Sequence, residues 1–472
     1  MKGLMESLRD GDNILITGGA GVGKTYHTNQ IIEQLKREGK KFAVCAMTGL
    51  ASQHLHFGMT LHRFLQTGSK TKKESIEDLM DSETFTKNLE SICHVSTIII
   101  DEVSMMRSDF LELMNVILME ARKVHNALTL NMFDKREVMP FGGYQIVFVG
   151  DFCQLPPVVP KGESVPCKWI FQHDLFLEAK FRVFNLTEIK RTSSSIFAET
   201  LNKIRVGYFD DSSFNIITGQ NNKKLSGEGT VLMSRLEGVN FYNTERLKYH
   251  DGEELRLTGN ISVREELKER LFDGEIRKLY RQVIQESGLE KELLLKVGCK
   301  IMLLANNPDM GYSNGSQGII LGTKQFDEHN NDFKSISGHE YNLDYKYFGE
   351  CIHVLLDNGE DVVVPKKSYS LFGNSFDDKG RRLADLVFYQ YPITLGYAVS
   401  IHKSQGMSLT NMILDCSKIF AEGQFYVGLS RATSLDGLSI LNFNTSYIRA
   451  DEDAVNFYIK VSQMNQGEVY GE

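Results

Sequence analysis

The stretch Gly18-Gly19-Ala20-Gly21-Val22-Gly23-Lys24-Thr25 has the composition and spacing of a phosphate-binding turn. Its glycines free consecutive backbone N–H groups to wrap an oxyanion. Lys24 would reach the β- and γ-phosphate oxygens, and the Thr25 hydroxyl would ligate Mg²⁺. Further along, STIIIDEVSM ends an apolar run on Asp101 and Glu102. There Asp101 would hold Mg²⁺ through water and Glu102 would polarise the attacking water. An acidic pair ending a strand is by itself most often a solvated turn; a phosphate loop in the same chain reverses that weighting. A third stretch, MPFGGYQIVFVGDFCQLPPV, places Gly150-Asp151 and then Gln154 after another apolar run. A neutral amide at Gln154 could hydrogen-bond a γ-phosphate or the attacking water. A solvated glutamine after a Pro-Pro turn is the alternative, and periodicity does not choose between them.

These residues need a scaffold, and the first two hundred positions supply its pattern. Short β-like runs at Asn13–Thr17, Phe42–Met47, Thr97–Ile100 and Gln145–Val149 alternate with helical patterns at Thr25–Lys36, closed by Gly39, and at Phe110–Val124. Such alternation predicts a parallel sheet covered by helices, with ligands at the carboxyl ends of its strands. The polar run Arg191-Thr-Ser-Ser-Ser195 reads as a domain boundary. Beyond it a second α/β unit is interrupted between Gly322 and about Leu386 by a Gly/Asn/Asp-rich stretch containing CIHVLL-DNGE-DVVVP, two β arms around a turn. Strong α/β patterning resumes at Tyr391–Ser400 and Met412–Leu414.

Composition narrows the classes. The chain has 472 residues and is 42% hydrophobic, enough for two to four domains with their own cores. A net charge of -8 argues against coating nucleic acid by bulk electrostatics, though not against a local donor-rich groove. Seven scattered cysteines without a C-x-x-C pair indicate neither a disulfide framework nor a zinc site, and point to an intracellular, reducing compartment. No signal peptide or membrane span is expected. His54, His56 and His62 cluster in sequence but lack a Cys or acidic residue at ligand spacing, so metal is the weaker reading there.

GGAGVGKT, IIIDEVSM, PFGGYQIVFVGDFCQLPPV, LKVGCKIMLLANNPDMGYSNGSQGIILG, YPITLGYAVSIHKSQGMSL and GQFYVGLSRATSLDGL, in this order, resemble the Pif (petite integration frequency) family of superfamily-one DNA helicases. The resemblance runs from Ile14 to about Leu438. It implies an α/β protein with two RecA-like P-loop NTPase domains: residues 1–190, with a small insertion after the 42–66 segment, and residues 191–321 with 386–472. Residues 322–385 would form an inserted β-rich, Src-homology-three-like module. The activity implied is that of an ATP-dependent, DNA-stimulated helicase moving 5′ to 3′ on single-stranded DNA, with ATP and Mg²⁺ as cofactors. Its implied partners are single-stranded DNA and single/double-strand junctions, G-quadruplexes or RNA–DNA hybrids among them, in replication, recombination, repair or telomere maintenance. The expected state is a monomer, with a dimer on DNA as the alternative.

Carried across by position, Lys24, Thr25, Asp101, Glu102 and Gln154 match the family's phosphate, magnesium, water-activating and sensing residues. Arg191, ending NLTEIKR, and Arg431, in GLSRATS, match its two arginine fingers, which stabilise charge on the transferred phosphoryl group. AMTGLASQHLHFGMTLHRF is similar to the family's single-strand-binding segment. Thr48 and Gly49 there suit phosphate contact, and His62 and Phe64 suit base or sugar packing. SIHKSQGMSL offers Ser400, His402, Lys403, Ser404 and Gln405, a row of donors without an acid. The chain departs from the pattern in having no Gln among residues 1–17, where the family reads adenine, and in following Arg191 with Thr192. Its Lys123–Val138 segment is also longer and more polar than the pattern.

Overall fold

The computed structural model describes residues 2–47, 55, 58–67, 71–80, 83–130, 134–160, 162–189, 192, 194–268, 273–287, 289–305, 307, 310–312, 315–325, 350–376 and 382–471. Thr48, Gly49 and Arg191 lie outside these residues, as do His54, His56 and much of the expected inserted module. The chain divides into two compact units, Met1–Gly229 with Ser408–Glu472, and Thr230–Met407.

The first unit is built on a six-stranded sheet of β1 (Ile14–Gly18), β2 (Phe42–Ala46), β3 (Met59–Thr60), β4 (Thr97–Asp101), β5 (Gln145–Gly150) and β6 (Arg182–Leu186), in the order β3-β2-β4-β5-β1-β6. All of its pairings are parallel. Side chains alternate between faces along a strand, so each short apolar run feeds two cores. Ile14, Ile16, Val44, Ile99, Val147 and Val149 pack with Leu4 and Leu8 of the helix Lys2–Asp10 and with Ile31, Ile32 and Leu35 of the helix Lys24–Arg37. Leu15, Cys45, Ile98, Ile100, Ile146 and Phe148 face the helices Glu83–Ile92, Ser108–Leu128 and Glu452–Gln463.

Register then fixes the functional edge. Thr17 pairs with Gly150, Gly18 with Leu186, Ala46 with Asp101 and Ile100 with Phe148. The chain therefore leaves β1, β4 and β5 at one edge, the carboxyl edge where ligands of such sheets bind. The turn Pro140–Gly143 precedes β5, with Phe141 and Gly142 at φ 56° and 59°. A Cβ on Gly142 would lie 2.6 Å from the Leu118 carbonyl oxygen, so only glycine lets this turn seat against the helix Ser108–Leu128. The same unit contains a further parallel pair, β19 (Met412–Asp415) with β20 (Leu438–Leu441).

The second unit is mostly antiparallel. β11 (Lys300–Leu303), β12 (Gln317–Gln325), β13 (Glu350–Leu356), β14 (Asp361–Val364) and β17 (Ile393–Leu395) form a five-stranded sheet in the order β14-β13-β12-β11-β17. The expected hairpin is present: β13 and β14 pair from Ile352↔Val364 to Leu355↔Asp361, with Gly359 at φ 86° in the turn. The antiparallel pairing begins upstream of Gly322, with Lys300↔Ile319. β15 (Lys367–Phe376), β16 (Arg382–Gln390) and β9 (Asn260–Val263) make a second sheet, β8 (Glu254–Thr258) pairs antiparallel with β10 (Glu292–Lys296), and β7 (Thr230–Met233) pairs in parallel with β18 (Ala398–Ser400).

Candidate functional site

The phosphate loop begins where β1 runs out. Gly18 has φ 139°, and a Cβ there would meet the Leu186 carbonyl oxygen of β6 at 2.1 Å. Lys24 opens the following helix, and its Nζ donates to the carbonyl oxygens of Gly18 at 2.7 Å and Gly19 at 2.8 Å. Burial pushes its pKa down, while Asp151, Glu102 and Asp101 oppose that. The ammonium is thus held over the loop among carboxylates. Thr25 is exposed in the first helical turn.

Asp101 ends β4, and its Oδ1 accepts a 2.8 Å hydrogen bond from the Glu102 backbone N–H. Burial, and next the neighbouring Glu102 charge, push the Asp101 pKa up to about 7, against the Glu102 N–H and Lys24. Glu102 sits at φ 54°, ψ 41°, a left-handed conformation that costs a non-glycine residue on the order of 1 kcal/mol. The chain holds that strain where it turns the two carboxylates out of the sheet. Hard oxygen donors at Thr25, Asp101 and Glu102 suit Mg²⁺, and burial followed by the Glu102 charge raises the proton affinity of Asp101. When bound, the ion would neutralise charge on the phosphates and orient the water that attacks them.

Asp151 is fully buried just beyond β5. Burial raises its pKa, but Arg205 and then Lys24 outweigh that and hold it below the ordinary carboxylate range. Arg205, last residue of the helix Ser195–Arg205, donates from Nη2 at 2.8 Å and from Nε at 3.1 Å to Oδ1. The Tyr426 hydroxyl donates to Oδ2 at 3.3 Å and accepts from the Ala20 N–H of the phosphate loop at 2.7 Å. Arg205 also lies 3.9 Å over the ring of Tyr458, whose hydroxyl accepts from the Phe152 N–H and bonds the Thr17 hydroxyl. One buried carboxylate thereby joins the loop, the β5 exit and three helices. The Gln154 Nε2 reaches toward the same Oδ2 at 3.4 Å, and its residue is only 5% exposed. Phe152, wedged edge-on against Trp169 and Phe457, and buried Leu155 anchor the segment on either side.

Sequence reading assigned no role to Arg205, Tyr426 or Tyr458. Arg205 ends the helix Ser195–Arg205 at no spacing that points to Asp151, and Tyr426 is visible only as a polar aromatic in GQFYVGLSR five residues before Arg431. Arg431 itself is 2% exposed, with Nε donating to the Val427 carbonyl at 2.9 Å and Nη2 to the Ser430 hydroxyl at 2.7 Å. Beside the loop, a cavity of about 250 Å³ is walled by Leu4, Ile16, Val22, Phe184 and Leu186, with His27, Glu188 and Gln466 also lining it. The Gln466 amide is bonded to the Asn185 backbone, accepting at 2.9 Å and donating at 2.8 Å.

The described DNA-facing candidates fall in both units. In the first, His62 stacks on Phe110 at 4.2 Å, with its pKa lowered by burial, and Phe64 packs partly buried against the adjoining core. In the second, Ser400 and Ser404 are buried: the Ser400 hydroxyl accepts from the Lys403 N–H and the Ser404 hydroxyl donates to the Ile401 carbonyl. Those hydroxyls fasten the turn. His402 is half-buried, with its pKa lowered by burial, and Lys403 is exposed.

The sheet, the phosphate loop and the acidic strand end define a P-loop NTPase. A family model described as PIF1-like helicase matches residues 4–225. A protein of Psychrobacter sp. named ATP-dependent DNA helicase Pif1 is 29% identical over 95% of this chain and 68% of its own length. The crystal structure of a Pif1 helicase from Candida albicans covers 98% of both chains at 28% identity and a TM-score of 0.68. That of a Bacteroides Pif1 with ADP-AlF4, 24% identical, covers 100% of this chain and 99% of its own with a TM-score of 0.74, a likeness of fold. Residues 4–225 thus match a PIF1-like helicase domain, and relatives named Pif1 helicase align with most of the chain.

Proposed function

We propose that this protein is an ATP-dependent DNA helicase that moves 5′ to 3′ along single-stranded DNA and separates the strands ahead of it. The observation that carries the reading is the shared carboxyl edge, where Lys24, the Asp101–Glu102 pair and Asp151 converge electrostatically around the phosphate loop. The match to the PIF1-like helicase model and the relatives named DNA helicase support its coupling to DNA. In this reading the loop N–H groups and Lys24 bind the phosphates, Thr25 and Asp101 hold Mg²⁺, Glu102 takes a proton from the attacking water, and Gln154 orients it. Arg191 and Arg431 would stabilise charge on the transferred group. The cavity beside Val22 is proposed to take the nucleobase.

Thr48, Gly49, His62 and Phe64 are proposed as one DNA contact. His402 and Lys403 would form the other, with Ser400 and Ser404 as the supports of their turn. Junctions, G-quadruplexes and RNA–DNA hybrids are proposed substrates, in replication, recombination, repair or telomere maintenance. All seven cysteines are free thiols, which supports a reducing compartment. Among the described residues no helix is long and apolar enough to cross a membrane.

ATP hydrolysis and unwinding on 5′-tailed and 3′-tailed duplexes test the reading. Hydrolysis should rise with single-stranded DNA, unwinding should need a 5′ tail, and Lys24→Ala should abolish both through lost phosphate stabilisation. Unwinding from 3′ tails alone would overturn the polarity. Hydrolysis indifferent to DNA would favour a regulatory nucleotide switch instead.

A further inference from the structure

The helices Glu83–Ile92 and Ser108–Leu128 end side by side, away from the phosphate loop in sequence and bearing none of the residues assigned to it. Cys93 and His94 follow the first helix directly, and His125 lies in the last turn of the second. One ligand atom from each of the three lies within 4.8 Å of the others, with Cys93 buried, His125 half-buried and His94 exposed. Both helix ends carry partial negative charge, which favours a cation between them.

The state of His125 supplies an independent sign. Its Nδ1 is buried and has no hydrogen-bond partner. Neutral imidazole is the commonest metal ligand, and a buried ring nitrogen without a hydrogen-bond partner keeps its lone pair for one. Burial, then Arg122, Arg136 and His94, lower the His125 pKa and keep that lone pair available at neutral pH.

We propose that Cys93, His94 and His125 bind one zinc ion in a three-ligand site with an open fourth position, clamping the two helix ends together. Sulfur and imidazole donors select a borderline-soft ion such as zinc over Mg²⁺, so this site is chemically distinct from the nucleotide edge. Tetrahedral zinc would hold such donors about 3.3–3.7 Å apart, and the exposed His94 side chain can supply the contraction. The Cys93 thiol now donates to the Glu90 carbonyl, with its pKa raised by burial and then Glu90 against Arg122 and Lys41. Metal binding replaces that S–H with an S–metal bond and releases its proton to solvent. Of the cations facing the site, Arg122 is bonded to the Gly142 carbonyl and lies over the Tyr144 ring, and Arg136 is paired with Asp134. They weaken cation binding, which sets the expectation of a reversible site rather than a permanently loaded one.

Chelator-treated full-length protein, titrated with cobalt(II) as a spectroscopic stand-in and then with zinc, tests the proposal without nucleotide. One cobalt per chain should give a thiolate-to-cobalt charge-transfer band and intense tetrahedral visible bands, both lost when zinc displaces it. Cys93→Ser should remove the charge-transfer band. His94→Ala, at an exposed position that leaves the core intact, should weaken zinc binding by about tenfold or more, and His125→Asn should do the same. Absence of the charge-transfer band in the unmodified chain, its survival in Cys93→Ser, or unchanged zinc affinity in His94→Ala would each overturn the site.

Discussion

Asp101 and Asp151 leave the same sheet edge, yet their surroundings drive them apart. Asp151 faces Arg205 and Lys24 and is held ionised, whereas Asp101 is crowded by burial and by Glu102 and is pushed up to about 7. The pair reads as a fixed anion behind the phosphate loop and an adjustable one in front of it. Raising a carboxyl pKa in the folded state means that the folded chain holds this proton more tightly than the unfolded chain. The resulting stabilisation is complete below the ordinary carboxyl range near pH 4 and is lost as pH rises through about 7. Asp101→Asn keeps the hydrogen-bond acceptor without the charge. It should therefore raise the melting temperature of the nucleotide-free protein at pH 8 by about 2–4 °C, raise it less at pH 6, and abolish hydrolysis. Melting curves of both proteins at the two pH values check this, and a gain that is larger at pH 6 would contradict the assignment. In the unmodified chain, stabilisation by ATP and Mg²⁺ should grow over the same interval, because the cation needs the ionised carboxylate.

At the scale of elements, the Asp151 knot fastens the β1 loop, the β5 exit, the Ser195–Arg205 helix end and the helices carrying Tyr426 and Tyr458. Removing one partner of a buried ion pair leaves the other charged and unsolvated. Arg205→Ala should cost about 3–5 kcal/mol, whereas Arg205→Met combined with Asp151→Leu should cost less than either single loss of charge. Urea unfolding midpoints decide this, and a cost under about 1 kcal/mol for Arg205→Ala would mean that the pair is not structural. The knot also marks the limit of what could be read from the sequence. The strands β1, β2, β4 and β5 fall within a residue of their apolar runs, and the phosphate loop and acidic pair are encoded in contiguous residues whose spacing is itself the chemistry. The helix expected at Phe110–Val124 extends over Ser108–Leu128, since its ends rest on contacts that periodicity does not carry. Asp151, by contrast, meets Arg205 from 54 positions away and Tyr426 from 275. Only the folded sheet brings those together, so the sequence marks Asp151 and Gln154 but not the partners that hold them. Ser404 likewise reads as an exposed donor in SIHKSQGMSL, but its side chain turns inward to the Ile401 carbonyl.

The whole molecule sets how DNA can be held. With 53 Lys and Arg against 61 Asp and Glu, the chain repels a polyanion at long range, so binding must come from short-range contacts. In the His402 turn the exposed cation is Lys403, and the described first-unit candidates, His62 and Phe64, carry no charge at neutral pH. Affinity for single strands should therefore release few counterions. With about five phosphates neutralised, the logarithm of the binding constant should fall with the logarithm of salt at a slope near -3.5. Lys403→Ala should reduce that slope by about 0.7 while weakening binding to all sequences alike, because a phosphate contact carries no base information. Fluorescence anisotropy of a labelled oligonucleotide across a salt series measures both quantities. A slope near -7 would require a broad basic track that the net charge argues against, and an unchanged slope in Lys403→Ala would remove that turn from the DNA path. A shallow slope also fits the work proposed, since a motor that must let go of its strand at every step is served by contacts that are local, few and released together.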